Sequence, residues 1–143
     1  DPMSWLKKES VLIPIDFSEL SYQAIAPGKE FVESLSSLKL IHVLSPLHPA
    51  DPAAMWDSPS DEQRKQKVKE FLSEKLSEME LGDISIEVAI GDPTGQIVDY
   101  AAEIKADLIV MPSHGYKGAK RFLLGSVAER VVRLSPCPVL ILK

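Results

Sequence analysis

The sequence predicts an α/β fold: one domain built on a five-stranded parallel sheet with helices on both faces. Three observations point there. Five short apolar runs alternate with four helical patterns in units of about thirty residues, the rhythm of a parallel sheet with crossover helices. The runs are mostly apolar, as strands buried on both faces must be. The chain has 143 residues, 45% of them apolar and 26% charged, which is room for one core and not for two of ordinary size. Residues 1–143 are therefore expected to form a single domain, with Asp1-Pro2 a cloning remnant ahead of a native start at Met3.

The first strand is Val11 to Ile15, VLIPI, with Pro14 expected at its end because a proline cannot donate to a ladder. A helix over Glu19 to Ser34 follows, turning Ile25, Phe31, Val32 and Leu35 inward, with Ser18 as its N-cap and a kink or break at Pro27-Gly28. Leu38 to Leu44 is the second strand. Ser45 to Ser60 holds four prolines and little periodicity, and reads as a long loop or a lid. Ser60-Asp61-Glu62-Gln63 is a capping box that opens a second helix, placing Val68, Phe71, Leu72, Leu76 and Met79 on one inward face.

Ile84 to Ile90 alternates and makes a third strand, ended by Gly91-Asp92-Pro93. A third helix over Thr94 to Lys105 turns Ile97, Ala101 and Ile104 inward, with the acidic Asp92 near its positive end. Asp107 to Met111 is the fourth strand. The fourth helix is expected to start through a second capping box, Ser126-Val127-Ala128-Glu129, and Pro138 to Leu142 closes the chain as a fifth strand. That last strand carries no charge before Lys143, so at a sheet edge it needs cover, and a two-fold homodimer through Pro138, Val139, Leu140, Ile141 and Leu142 is expected.

Charge is unevenly placed. Residues 113–143 hold six Lys/Arg and one Asp/Glu, leaving ten against twenty in the rest of a chain whose net charge is −5. An acidic chain with one basic patch suits a small anion and makes a poor general nucleic-acid binder. No apolar run approaches the roughly 20 residues of a membrane helix, and the lone Cys137 excludes an internal disulfide. Neither a membrane span nor a signal peptide is expected, and the cytoplasm is the expected compartment.

The chemistry concentrates in Met111 to Ser126, MPSHGYKGAKRFLLGS, a connection from strand to helix. It brings together Gly115, Gly118 and Gly125, the cations Lys117, Lys120 and Arg121, and the hydroxyl of Ser126. Bare backbone N–H groups at the positive end of a helix bind phosphate, and strand carboxyl ends at a point where strand order reverses are where such folds take ligands. Competing motifs fail: the only Gly-Lys is Gly28-Lys29, followed by Glu30, which excludes a Walker A loop, and no Gly-x-Gly-x-x-Gly follows the first strand. Taken singly, these glycines and cations read as turns and a solvated face. Ser113-His114 lacks the geometry of a nucleophile and base on an extended segment, and His42, His48, His114 and Cys137 lack zinc-ligand spacing. Cys137 reads as a small packing residue.

The chain resembles the universal stress proteins, in the branch that binds ATP through Gly-x2-Gly-x9-Gly-Ser/Thr. Gly115, nine residues, then Gly125-Ser126 match the spacing; the first glycine falls at Pro112, and Gly118 is extra. VLIPIDFSE, LIHVLSP, GDP, DLIVMPSHG and LLGSVAERVVRLSPCPVLIL carry the resemblance in order over most of Val11 to Leu142. It implies a Rossmann-like sheet of the adenine nucleotide alpha hydrolase kind and a dimer through the last strand. It also implies base and ribose contacts near Pro14, Asp16 and Val43, and phosphates held at Gly115, Gly125 and Ser126. His114, Lys117, Gly118, Lys120, Arg121 and Val127 would support the phosphate loop.

The expected ligand is ATP, or AMP or ADP, with magnesium carried on the phosphates. The expected role is a stress-response regulator working through protein partners; a dimeric module without nucleotide and a slow ATP hydrolase are the alternatives. Two residues keep two readings each. Asp16 is either an N-cap of the first helix or a sugar contact, and Ser126 is a helix cap, a phosphate ligand or both. Pro112 removes a donor and fills space where the pattern has glycine, a cost of about 1 kcal/mol in binding if nothing clashes.

Overall fold

The structure, a computed structural model, describes residues 7–46, 60–113 and 124–143. Its elements in chain order are β1 (Val11–Pro14), α1 (Glu19–Gln23), α2 (Ile25–Lys29), a 3-10 turn at Leu35–Ser37, β2 (Leu38–Leu44) and α3 (Asp61–Glu78). Then come β3 (Ser85–Ile90), α4 (Pro93–Glu103), β4 (Leu108–Pro112), α5 (Ser126–Leu134) and β5 (Val139–Leu142). The strands form one parallel sheet in the order β3-β2-β1-β4-β5, the fold class the sequence predicts.

Because side chains alternate along a strand, the apolar runs divide between two faces. Val11, Ile13, Leu38, Leu40 and Val110 pack with Ile25, Leu72 and Leu76 beneath α2 and α3. Leu12, Ile41, Ile109 and Met111 pack with Ile97, Ala101, Ala128 and Val131 beneath α4 and α5. Chain order reverses between β1, the central strand, and its neighbour β4, which is the switch point of such a sheet.

Two helix starts are capped as the sequence predicts, at Ser18 and Ser60, and a third is capped by Asp92, which the sequence placed only near the helix's positive end. Ser18 accepts from the Ser21 N–H at 3.2 Å, Ser60 and Gln63 complete a reciprocal capping box, and Asp92 accepts from the Gly95 N–H at 2.9 Å with Pro93 in the first turn. The Gly95 amide holds the Asp92 carboxyl below the usual carboxylate range, with Arg130 adding to it. A lowered folded pKa gives stability above the unfolded value of about 4, lost as pH falls through the folded one. Asp92→Asn keeps a cap oxygen and removes the charge, so thermal melts at decreasing pH should show a shallower acid limb for the variant.

Several expectations are corrected. The first helix does not run from Glu19 to Ser34; it is two short helices, and the break falls at Ala24 and not at Pro27-Gly28. Proline lacks the N–H that Gln23 would need, so Pro27 ends the first helix from a distance and sits in the first turn of the second, where no donor is missed. On α3, Leu72 and Leu76 are buried as expected, but Phe71 and Met79 are exposed. Phe71 instead meets the Phe17 ring edge-on at 5.6 Å.

The predicted capping box at Ser126 is absent. Gly125 occupies the N-cap with no side-chain bond, Ser126 is the first helical residue, and Glu129 lies one position too far along to reach back. The Glu129 carboxylate instead accepts from Arg133 at 2.6 Å. The expected lid falls largely on residues 47–59, outside the described residues.

Candidate functional site

Two prolines shape the switch point. Backbone groups of a strand face its two neighbours in turn, and Ile15 N donates to Ile41 O of β2 at 2.8 Å, so Pro14 faces β4 without a donor. The β1–β4 register accordingly stops at Leu12↔Ile109. By the same alternation Ser113 N donates to Leu142 O of β5 at 2.8 Å, so Pro112 turns its donorless edge toward β1. Between the two prolines β1 and β4 part.

A cavity of about 640 Å³ opens where they do. Pro14 and Asp16 reach it from the end of β1, Val43 from β2, Pro112 from β4, and Gly125, Ser126 and Val127 from the start of α5. Its inner wall is apolar, formed by Ile41, Ile97, Met111 and Ala128 of the second core face. All seven described candidates therefore share one space. His114, Gly115, Lys117, Gly118, Lys120 and Arg121 lie outside the described residues, but both ends of their segment are placed: Gly125 N donates to Ser113 O at 2.6 Å, at the cavity wall.

Asp16 is not the cap of α1; Ser18 is. The Asp16 carboxylate works one step earlier, where Oδ1 accepts from Ser18 N at 3.0 Å and from the Ser18 hydroxyl. Asp16 N in turn donates to the hydroxyl of Ser21, a buried residue that also lines the cavity. The Tyr22 phenol nearby is pushed up from its ordinary value by burial first and then by the charges of Asp16 and Glu19. At the opposite wall, α5 begins with a glycine cap, so the cap residue itself offers no side-chain oxygen to the first-turn amides. That leaves the positive end of a helix at the cavity, with Ser126 among the residues that line it.

Ser21 and His42 are polar lining residues that sequence reasoning did not place in the site. Ser21 lies inside a helix, where a serine draws no notice; the spacing Asp16-x-Ser18-x-x-Ser21 is the only hint. His42 sits in a buried strand, and its Nδ1 is 2.6 Å from Ile15 O. Cys137 is half-buried against the second core face, and burial first of all raises its thiol pKa, as suits a packing residue. Among the described residues no group of three or more His, Cys, Asp or Glu is placed to hold a metal. No helix among them is long and apolar enough to cross a membrane.

Fold and site together define a doubly wound α/β domain with a ligand-sized cavity at the carboxyl edge of its parallel sheet. The chain belongs to the universal stress protein family, whose model matches residues 8–143. Universal stress protein MJ0531 of Methanocaldococcus jannaschii is 37% identical over 141 residues, covering 94% of this chain and 82% of the relative. Among solved structures, UspA from Lactobacillus plantarum superposes with a TM-score of 0.75 at 21% identity over 96% of this chain and 99% of its own, a likeness of fold. A universal stress protein in complex with cAMP (TM-score 0.64, 24% identity, 96% and 98% covered) shares the fold as well. So does an Arabidopsis thaliana family protein with AMP bound (TM-score 0.58, 22% identity, 94% and 90% covered).

Proposed function

We propose that this universal stress protein binds ATP or a related adenine nucleotide as a homodimer and acts as a stress-response regulator through partner proteins. The observation that carries the reading is the arrival of Pro14, Asp16, Val43, Pro112, Gly125, Ser126 and Val127 at one cavity. Its volume suits a small molecule, and its chemistry is divided as a nucleotide needs. The apolar wall takes the base, Asp16 the sugar, and the uncapped start of α5 the phosphates, next to a segment carrying Lys117, Lys120 and Arg121. Relatives of this fold with AMP or cAMP bound support an adenine nucleotide. Magnesium would enter on the phosphates.

Pro112 favours the second reading, a dimeric module without nucleotide, because its ring stands where the fingerprint has glycine. The test is direct. Denaturing the purified protein should release adenine nucleotide, and calorimetry should show ATP binding by the wild type and roughly fivefold tighter binding by Pro112→Gly, which regains one N–H at the crevice. Binding by neither protein would sink the nucleotide reading.

The dimer is supported by the position of β5 at a sheet edge. The carbonyls of Pro138 and Leu142 accept from β4, so the alternate positions, Val139 and Ile141, turn their backbone groups outward. Sedimentation at micromolar concentration should give a two-chain mass. Ile141→Pro, which removes an outward N–H and leaves the bonds to β4, should give a one-chain mass; a monomeric wild type would refute the interface.

A further inference from the structure

His42 grips the two residues that flank Asp16. Its neighbours Ile41 and Val43 face the cavity side of the sheet, and the imidazole, one residue out of phase, reaches to the end of β1. There Nδ1 lies 2.6 Å from the carbonyl oxygen of Ile15. The ring also packs on that of Phe17, with centroids 4.2 Å apart and planes at 38°. Paired residues of β1 and β2 end at Pro14↔Ile41, so this imidazole takes up a carbonyl just past the last of them. Phe17 has φ of 67°, a left-handed conformation that a bulky side chain adopts only when its surroundings hold it. The His42 ring on one side and the edge contact with Phe71 on the other supply that hold.

A carbonyl oxygen only accepts, so the proton of the neutral ring is on Nδ1, and the bond persists in the imidazolium, which is protonated there too. The grip therefore does not depend on the charge of the ring. Between its two points of attachment the Asp16 carboxylate has little freedom: its Oδ1 is tied to Ser18, its own N–H to Ser21, and the residues before and after it to His42.

We propose that His42 is a positioning residue of the nucleotide site, fixing Asp16 against the sugar and thereby setting how strongly the protein prefers a ribose to a deoxyribose. The inference rests on the adenine-nucleotide reading of the cavity. A carboxylate held in one place by its backbone rejects a sugar that lacks the hydroxyl it accepts from, whereas one free to swing back to water tolerates the loss.

The experiment compares affinities of the full chain for ATP and for its 2′-deoxy and 3′-deoxy analogues by calorimetry. The wild type should prefer ATP over one analogue by about tenfold or more, the value of a hydrogen bond to a charged group. His42→Ala should bring that ratio near one. His42→Asn, whose amide N–H stands close to the place of the Nδ1 proton, should restore most of it. A residue of merely structural value would lower the melting temperature and leave the ratio alone, so an unchanged ratio in His42→Ala with ATP still bound overturns the proposal, as does a failure of His42→Asn to recover it. Histidine-ring NMR of the unaltered protein supplies a check that no misfolded variant can spoil: an Nε2–H tautomer without a proton on Nδ1 would also overturn it. Absence of ATP binding by the wild type would be a different result, removing the nucleotide reading and this inference with it.

Discussion

Asp16→Ala is expected to weaken ATP binding by about 30-fold while leaving the chain folded. A hydrogen bond to a charged acceptor contributes about 1.5–3 kcal/mol, or roughly ten- to a hundredfold in affinity. Asp16 is the carboxylate among the cavity-lining residues, so no neighbour in that lining replaces it. The cost to folding is smaller. Ser18 keeps its role as the cap of α1, since its hydroxyl oxygen accepts from Ser21 N and not from Asp16. What is lost includes the turn in which Ser18 N and its hydroxyl donate to Asp16, a part-exposed arrangement worth about 1–2 kcal/mol of the domain's roughly 5–15 kcal/mol. Asp16→Asn separates charge from shape, because it keeps an acceptor and should fall between the two proteins. Calorimetric titration with ATP, alongside melting curves of the free proteins, checks both statements. Equal affinities for the wild type and Asp16→Ala would remove Asp16 from the site.

The fold was legible because buried parallel strands leave a mark that survives without context. VLIP and LIVMP are apolar whichever face they turn, LKLIHVL departs from that only at Lys39 and His42, and the helices at Ser18, Ser60 and Asp92 start at cap residues that act locally. The misplacements came where the outcome depends on a neighbour. Pro27 breaks the first helix at Ala24 because the missing bond belongs to the carbonyl four residues earlier, not to the proline. Ser126 matched a capping box by spacing, yet Gly125, one residue earlier, took the cap position and moved Glu129 out of range. Phe71 has the right phase for the core, but its turn of α3 overhangs the loop of Phe17, and phase alone does not say where the sheet ends.

The candidate site was legible in its outline for a related reason. Pro14, Asp16, Val43 and Gly125 stand at strand ends or a helix start, and the topology alone brings those to one edge. The residues that tie Asp16 in place were not legible, since Ser21 and His42 act through contacts between β1, α1 and β2 that no spacing within one segment encodes. The absent cap on α5 has the same character: a glycine before a serine reads as two turn residues until the helix start is placed.

Leu12→Ala should cost about 3 kcal/mol of stability, within the roughly 2–5 kcal/mol range for burying an alanine where a leucine was. Leu12 is fully buried in the central strand, paired with β2 on one side and β4 on the other. Flanking strands hold the backbone in place, so the surroundings cannot collapse far into the space the side chain leaves. A domain of this size has about 5–15 kcal/mol in all, so the variant should remain folded but melt about ten degrees lower. Leu20→Ala, at a site 49% exposed, should change stability by no more than about 0.5 kcal/mol and serves as the comparison. Leu12 also shares its cluster with Ile41, Ile97, Met111 and Ala128, which form the cavity's inner wall. Binding to the native state adds about 2.7 kcal/mol when ATP is at a hundred times its dissociation constant, so the nucleotide should recover most of what Leu12→Ala loses. Melting curves with and without ATP measure both terms on one protein. A variant that melts like the wild type without ligand would deny Leu12 its place in the core, and a destabilised variant that ATP fails to raise would deny the cavity its ligand.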